Sequence, residues 1–236
     1  MSRHVFFCPE LALDSRQLEL ASNEAHHLAT VLRLRKGDEI VLMNGNGLTA
    51  DAILENVEKW HVNCQVQSVS EHRRPVPMRL YIAPPRNKNM ELVIRCATEL
   101  GVSRITPVLC EYGVSRPDSD KEGWRQTAIV ACKQSRNPYL PQMDAPLPFA
   151  DALANCHETS FLGAVPASGA STRGEVTMTP EGFALWVGPE GGFSEAETRA
   201  LLEAGAVPVT VGPCILRVET AVPALLGAIY AAYLPR

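Results

Sequence analysis

Two glycine-bearing loops hold the residue types best suited to chemistry. The first, Gly188-Pro189-Glu190-Gly191-Gly192-Phe193-Ser194, follows the apolar run Phe183–Val187. The second runs from Gly212 to Ala221 and follows the apolar run Val207–Val211. Glycine at the carboxyl end of a strand lets backbone N–H and C=O groups approach a ligand closely, and open α/β sheets bind ligands at that edge. Apolar Ile215 and Leu216 stand beside the guanidinium of Arg217 and the carboxylate of Glu219. Such a set offers walls for a flat ring, backbone groups to read its edge, and a cation to orient a carbonyl or phosphate or to stabilise developing negative charge. Each residue also has a plainer use. Arg217 suits a salt bridge to Glu219 or Glu190, Glu219 suits the dipole of a helix start, and Ile215 and Leu216 suit a core.

The familiar nucleotide motifs are missing. Gly45-Asn46-Gly47 is followed by Leu48-Thr49-Ala50 and fails the dinucleotide fingerprint, and neither a P-loop nor a GxSxG elbow occurs.

The elements that position these loops can be read from periodicity. Residues 1–70 form a small β-rich unit with one helix. Ser22 is placed to cap that helix, with Glu24 in its first turn and Ala25, Leu28, Ala29 and Leu32 at helical spacing. Asn44-Gly45-Asn46-Gly47 is a hairpin signal between Ile40–Met43 and Leu48–Leu54, and Val62, Cys64 and Val66 alternate with polar residues. The polar, Pro-punctuated stretch from Ser70 to Pro77 sets a domain boundary, giving domains 1–72 and 78–236. Beyond it, strands at Arg79–Ala83, Val102–Leu109, Phe161–Val165, Phe183–Val187 and Val207–Val211 alternate with helices at Asn89–Leu100 and Trp124–Gln134, one opened by Ser194 and Glu197 as a capping box, and one ending near Tyr233. That alternation predicts an α/β fold with a parallel sheet. Pro223 comes early enough in the last helix for its first turn to tolerate it. Ala164 to Gly182 reads as a long mobile loop.

Of the 236 residues, 46% are hydrophobic and 20% charged, which excludes low-complexity disorder. The formal charge of −4 excludes bulk coating of a polyanion, but the charge is uneven: net −2 over 1–74, +3 over 75–150 and −5 over 151–236. A polyanion would meet the middle segment and the start of the chain. The basic candidates are Arg33, Arg35 and Lys36 near the first helix, and Arg86, Lys88, Lys133 and Arg136 in the middle. As a group on one face they would form a phosphate track; singly they are solvated surface charges. His26 suits stacking on a base, contact with a phosphate or packing in the core. The seven cysteines are dispersed without a CxxC and read as buried cytosolic thiols; no clustered metal ligands and no apolar run of membrane-spanning length are seen. A cytoplasmic protein is expected.

Several segments, in order and nearly end to end, look like one family. His26-His27-Leu28 with Val31-Leu32-Arg33-Leu34 and Lys36-Gly37-Asp38, then Ala97-Thr98-Glu99-Leu100-Gly101-Val102, Gln134-Ser135-Arg136, VGPEGGFSEAE and GPCILRVETA together resemble the ribosomal RNA small subunit methyltransferase E family of the SPOUT superfamily. The resemblance implies a PUA-like β-barrel that helps hold RNA, followed by a methyltransferase domain with a deep trefoil knot, and a homodimer. It implies S-adenosylmethionine as cofactor and N3 of a uridine in 16S-type ribosomal RNA as acceptor, within an assembled or near-assembled subunit. The cofactor would be cradled by Leu162, Val187, Gly188, Pro189, Glu190, Gly192, Val211, Gly212, Ile215, Leu216, Thr220 and Ala221. Arg217 would act on the acceptor, with Glu219 a weaker candidate base. The same loops would also serve a ribose 2′-hydroxyl or a tRNA base as acceptor, and a non-catalytic RNA-binding assembly factor is a third reading. The chain departs from the family at Cys96, Tyr112 and Cys214, where basic residues are common, and at Val218, where Thr is usual.

Overall fold

The computed structural model describes residues 3–85, 89–115, 122–165 and 182–233. They fall into two compact units: Met1–Arg74 with Ile129–Leu140, and Pro75–Ala128 with Pro141–Arg236. The expected loop at Ala164–Gly182 lies mostly outside the described residues.

The first unit is built on strands β1 (Val5–Phe7), β2 (Gln17–Glu19), β3 (Glu39–Met43), β4 (Leu48–Val57) and β5 (Val62–Glu71), with helix α1 (Ser22–His26) between β2 and β3. The sheet order is β1-β3-β4-β5-β2. Alternation in β5 places Val62, Cys64 and Val66 inward, where they join Phe6, Leu20, Leu28, Ile40, Leu42 and Leu54 in a core. The β3–β4 turn forms because Asn44 Oδ1 accepts the N–H groups of Asn46 and Leu48 at 2.8 and 3.0 Å. Gly47 there has φ +96°, and a Cβ would lie 2.6 Å from the Tyr139 hydroxyl, so both conformation and space require glycine. Ser22 is not the cap of α1: its N-cap is Ala21, and the Asn23 side chain accepts the Glu24 N–H at 2.9 Å. The helix then widens into a π-helical turn, His27–Leu32, which ends on Arg33 in the left-handed region.

A second apolar cluster in this unit joins Phe7 and Met43 to Ile129 and Cys132, with Val5 and Leu140 packed against it. Residues 129–140, placed by the sequence in the second domain, supply core to the first unit.

In the second unit, β6 (Met78–Ile82), β7 (Arg104–Leu109), β8 (Gln142–Met143), β9 (Leu147–Pro148), β10 (Thr159–Gly163), β11 (Phe183–Val187) and β12 (Val207–Val209) form a parallel sheet. Its path is β12-β10-β11-β6-β7-β8, with β9 also on β7. The helices are α2 (Asn89–Glu99), α3 (Glu122–Ser135, whose end belongs to the first unit), α4 (Phe149–Ala154), α5 (Glu195–Glu203) and α6 (Val218–Tyr233). The central strands β6 and β11 are buried at every position, as a sheet covered on both faces demands. Trp186 and Tyr81 stack across them with ring centroids 3.9 Å apart.

One buried position on β6 is charged. Arg79 donates to Thr106 Oγ1 at 3.1 Å, and its guanidinium lies 3.3 Å from the Asp144 carboxylate and 3.5 Å from that of Glu158. Asp144 also receives Arg104 at 2.8 Å and the Thr106 hydroxyl at 2.6 Å. A buried cation is thus matched by two carboxylates and a hydroxyl.

Among the described residues no helix is long and apolar enough to cross a membrane, and no three His, Cys, Asp or Glu side chains are grouped to hold a metal. Cys8, Cys64, Cys110 and Cys132 are buried, and burial pushes the last three up to about 12. Cys214 departs from the expectation of buried thiols, because it is exposed.

Candidate active site

Because β6, β7, β10, β11 and β12 run parallel, the loops at their carboxyl ends leave from one edge of the sheet. The register aligns Val187 with Ile82, Leu162 with Trp186, and Gly163 with Val209. β10 thus sits between the two strands that carry the glycine loops. Leu162 is buried in the core beneath that edge.

The first loop is fixed from behind. Ser194 accepts the Glu197 N–H, and Glu197 Oε2 accepts the Ser194 N–H at 2.9 Å, which completes the expected capping box. The other oxygen of Glu197 accepts the Glu111 N–H at 2.9 Å, from the loop after β7. Tyr112, next in that loop, is 51% exposed, and a Cβ added at Gly191 would meet its Cβ at 3.4 Å. The Gly192 N–H closes a turn on the Pro189 carbonyl at 2.8 Å, with Gly192 at φ +75° and open space where a Cβ would stand. Gly188 faces its own loop: a Cβ there would meet the Phe193 nitrogen at 3.0 Å. Val187 and Pro189 are buried, and Glu190 is exposed.

The second loop turns at Gly212, φ +70°, again with open space in front. Ile215 is 76% exposed, so it is not a core residue; Leu216 is half-buried. The Arg217 carbonyl accepts the N–H groups of Thr220 and Ala221 at 2.9 and 2.7 Å and so starts α6. The Arg217 side chain is exposed, and no ion pair among the described residues includes it, which removes the salt-bridge reading. Glu219, in the first turn of α6, accepts from Asn89 Nδ2 at 3.2 Å. Pro223 falls in the second turn rather than the first, so the Glu219 carbonyl lacks its helical N–H donor. Val211 and Ala221 are half-buried, and Thr220 is exposed. The edge therefore carries two left-handed glycines, an unburied aliphatic side chain and a free guanidinium.

The RNA candidates divide. His26, Arg33, Arg35, Lys36, Lys133 and Arg136 all belong to the first unit, and Arg86 and Lys88 lie outside the described residues. Arg33, Arg35, Lys36 and Arg136 are exposed. Lys133 is not a solvated charge: its ammonium lies 2.8 Å from the carboxylate of Glu24, whose side chain is only 6% exposed. His26 is neither free nor in the core, because its ring stacks on Trp60 at 4.2 Å with the planes 15° apart. Sequence reasoning missed two long-range contacts and one residue, Trp60. Nothing in the local sequence announces the reach of Glu197 to Glu111 or of Asn89 to Glu219, whereas a lone Trp60 at a hairpin tip was visible.

A small β-rich unit and a parallel α/β sheet with glycine loops at one edge agree with two family models of RNA methyltransferases. The RNA methyltransferase domain family matches residues 72–230, and the RNA methyltransferase PUA domain family matches residues 20–67. Ribosomal RNA small subunit methyltransferase E of Synechocystis is 32% identical over 239 residues, covering 98% of this chain and 78% of that protein. Its counterpart in Bacillus subtilis is 31% identical, covering 89% and 88%. The crystal structure of ribosomal RNA small subunit methyltransferase E from Neisseria gonorrhoeae, bound to S-adenosyl methionine, superposes with a TM-score of 0.87 at 28% identity over 98% of each chain. The chain belongs to the ribosomal RNA small subunit methyltransferase E family.

Proposed function

We propose that this chain uses S-adenosylmethionine to methylate N3 of a uridine in 16S-type small-subunit ribosomal RNA. The carrying observation is the second loop: Ile215 and Arg217 stand unburied beside the left-handed Gly212, at the edge that also bears Gly192. An apolar wall, open backbone and a free cation suit a flat ring and a charged acceptor, and they have no use in a plain connector. The bound cofactor seen in the Neisseria relative supports the same ligand here.

The cofactor supplies an electrophilic methyl group on a sulfonium. Leu162, Val187, Gly188, Pro189, Glu190, Gly192, Val211, Gly212, Ile215, Leu216, Thr220 and Ala221 form its cradle, the open space at Gly192 and Gly212 leaving room for close backbone approach. The acceptor must lose the N3 proton as the N–C bond forms and the S–C bond breaks. That proton passes to solvent or to Glu219. The electron pair left on N3 is shared with the flanking carbonyls, and the Arg217 guanidinium steadies that charge through its planar fork. The first unit holds the RNA through Arg33, Arg35, Lys36 and Arg136, with Arg86 and Lys88 from the second domain. The division of labour between domains 1–72 and 78–236, a knotted second domain, a homodimer, a cytoplasmic location and a near-assembled subunit as substrate belong to the same reading.

The test is nucleoside mass spectrometry of ribosomal RNA from cells lacking the protein, before and after treatment with the purified enzyme and S-adenosylmethionine. N3-methyluridine is expected to be absent and then restored. A 2′-O-methylated product, or a product only in tRNA, overturns the acceptor. Failure to bind S-adenosylmethionine in a calorimetric titration overturns the enzyme.

A further inference from the structure

We propose that the outward face of Trp60, backed by His26, is a stacking platform for one unpaired base of the RNA. This inference rests on the RNA-substrate reading above and adds a residue to it. Trp60 sits at the tip of the β4–β5 hairpin, a turn closed by the Glu58 N–H on the His61 carbonyl at 2.9 Å. The strand residues on either side that face inward, Leu54 and Val62, are fully buried. Trp60 is instead 48% exposed, an unusual setting for an indole in a unit with a well-filled core.

Its orientation is fixed. The imidazole of His26 covers one face at 4.2 Å and 15°, and the flexible Lys59 side chain, whose ammonium stands over the ring, is what a base would push aside to reach the indole. This arrangement is not obtained cheaply. The Nδ1 of His26 is buried with no hydrogen-bond partner among the described residues, and the helix that carries His26 goes straight into a π-helical turn, a rare conformation found mostly where function holds it. Packing alone would favour a ring nitrogen in water.

The surroundings match a polyanion with exposed bases. Lys59 Nζ lies 5.5 Å from the indole centroid. The exposed cations Arg33, Arg35 and Lys36 follow the π-helical turn, and their loop is tied to β4 by Gly37 N–H on the Leu54 carbonyl at 2.8 Å and by Leu54 N–H on the Asp38 carbonyl at 3.0 Å. Three carboxylates also lie at this end: Glu58, which accepts from Asn56, Glu55, which accepts from Gln17, and Glu19, which is taken up by His61 at 2.9 Å. A base stacked on the indole would leave its phosphates for the lysine and arginines. Every base has a π-face, so the platform grips RNA without reading sequence.

The test uses the full-length protein and a protein-free, unstructured RNA oligonucleotide, with affinity measured across a salt series. Trp60→Ala should weaken binding between about fivefold and a hundredfold, with an unchanged salt slope. Trp60→Phe should keep most of the affinity. Lys59→Ala should lower the salt slope by about one phosphate contact. Melting temperature and S-adenosylmethionine affinity should stay at wild-type values in all three. Wild-type binding by Trp60→Ala overturns the platform, as does an equal loss in Trp60→Phe. A loss seen only on intact subunits also overturns it, since the contact would then be with ribosomal protein. If Trp60→Ala loses RNA affinity while the nucleoside assay finds no N3-methyluridine, the platform stands and only the acceptor falls.

Discussion

Glu197 Oε1 accepts the backbone N–H of Glu111 at 2.9 Å across 86 residues of sequence. With its second oxygen on Ser194, this buried carboxylate clamps the loop after β7 to the head of α5, and so holds the Gly188–Ser194 loop from two sides. Glu197→Ala leaves both N–H groups without their acceptor. A hydrogen bond to a charged group contributes about 1.5–3 kcal/mol, so a loss of about 3 kcal/mol is expected in denaturant unfolding. S-adenosylmethionine affinity should fall with it, even at temperatures where the variant is fully folded. Full retention of affinity in the folded variant would show that the clamp serves stability alone.

Gly192→Val tests the first glycine loop. The site is at φ +75°, where a β-branched residue is strained by about 1–2 kcal/mol or more, and the added side chain would occupy the open space in front of the turn. Calorimetric binding of S-adenosylmethionine should be lost while the melting temperature falls by only a few degrees. Wild-type affinity would mean that the loop lies outside the cofactor site.

Arg217→Ala should lower the methylation rate far more than cofactor affinity, because the guanidinium is exposed and acts on the acceptor side. Removing one donor that stabilises developing charge typically costs about a hundredfold to a thousandfold in rate. Single-turnover methylation and a binding titration, run on the same preparation, separate the two effects. Equal losses in both would move Arg217 into the cofactor cradle.

Asp144 should set the acid limit of the second unit. Burial by itself raises its carboxyl, but hydrogen bonds from Arg104 and Thr106 and the charges of Arg104 and Arg79 outweigh burial and hold it below the usual carboxylate value. The folded state therefore binds this proton less readily than the unfolded chain. The stabilisation is present above the ordinary Asp value and is lost as pH falls through the lower folded one. Asp144→Asn should cost about 3 kcal/mol near neutral pH, since Glu158 is then the one carboxylate left to Arg79 among the described residues, and should flatten the fall of melting temperature below pH 4. A variant with the same acid slope as wild type would place the acid sensitivity elsewhere.

Local signals explain what the sequence revealed. The apolar runs of β6 and β11, the Asn44–Gly47 turn and the Ser194–Glu197 cap each depend on neighbours within a few residues, and each formed as expected. Ser22 failed as a cap because the helix starts one residue earlier, with Ala21 as N-cap, which puts Ser22 inside the first turn. The remaining differences are long-range. Lys133 met Glu24 across 109 residues and lost its role as a solvated charge, and residues 129–140 went to the core of the first unit. His26 found Trp60 in the same way. Periodicity shows that a side chain faces inward or outward; it carries no information about which distant side chain waits there.

The shared ownership of α3 has a consequence for synthesis. Phe7 and Met43 emerge early, yet Ile129, Cys132 and Leu140, which complete their cluster, are made much later. At about 5–20 residues per second, the N-terminal unit spends several seconds with that apolar face unfinished. A fragment cut at residue 74 would lack Ile129, Cys132 and Leu140 and would leave that apolar face open for good.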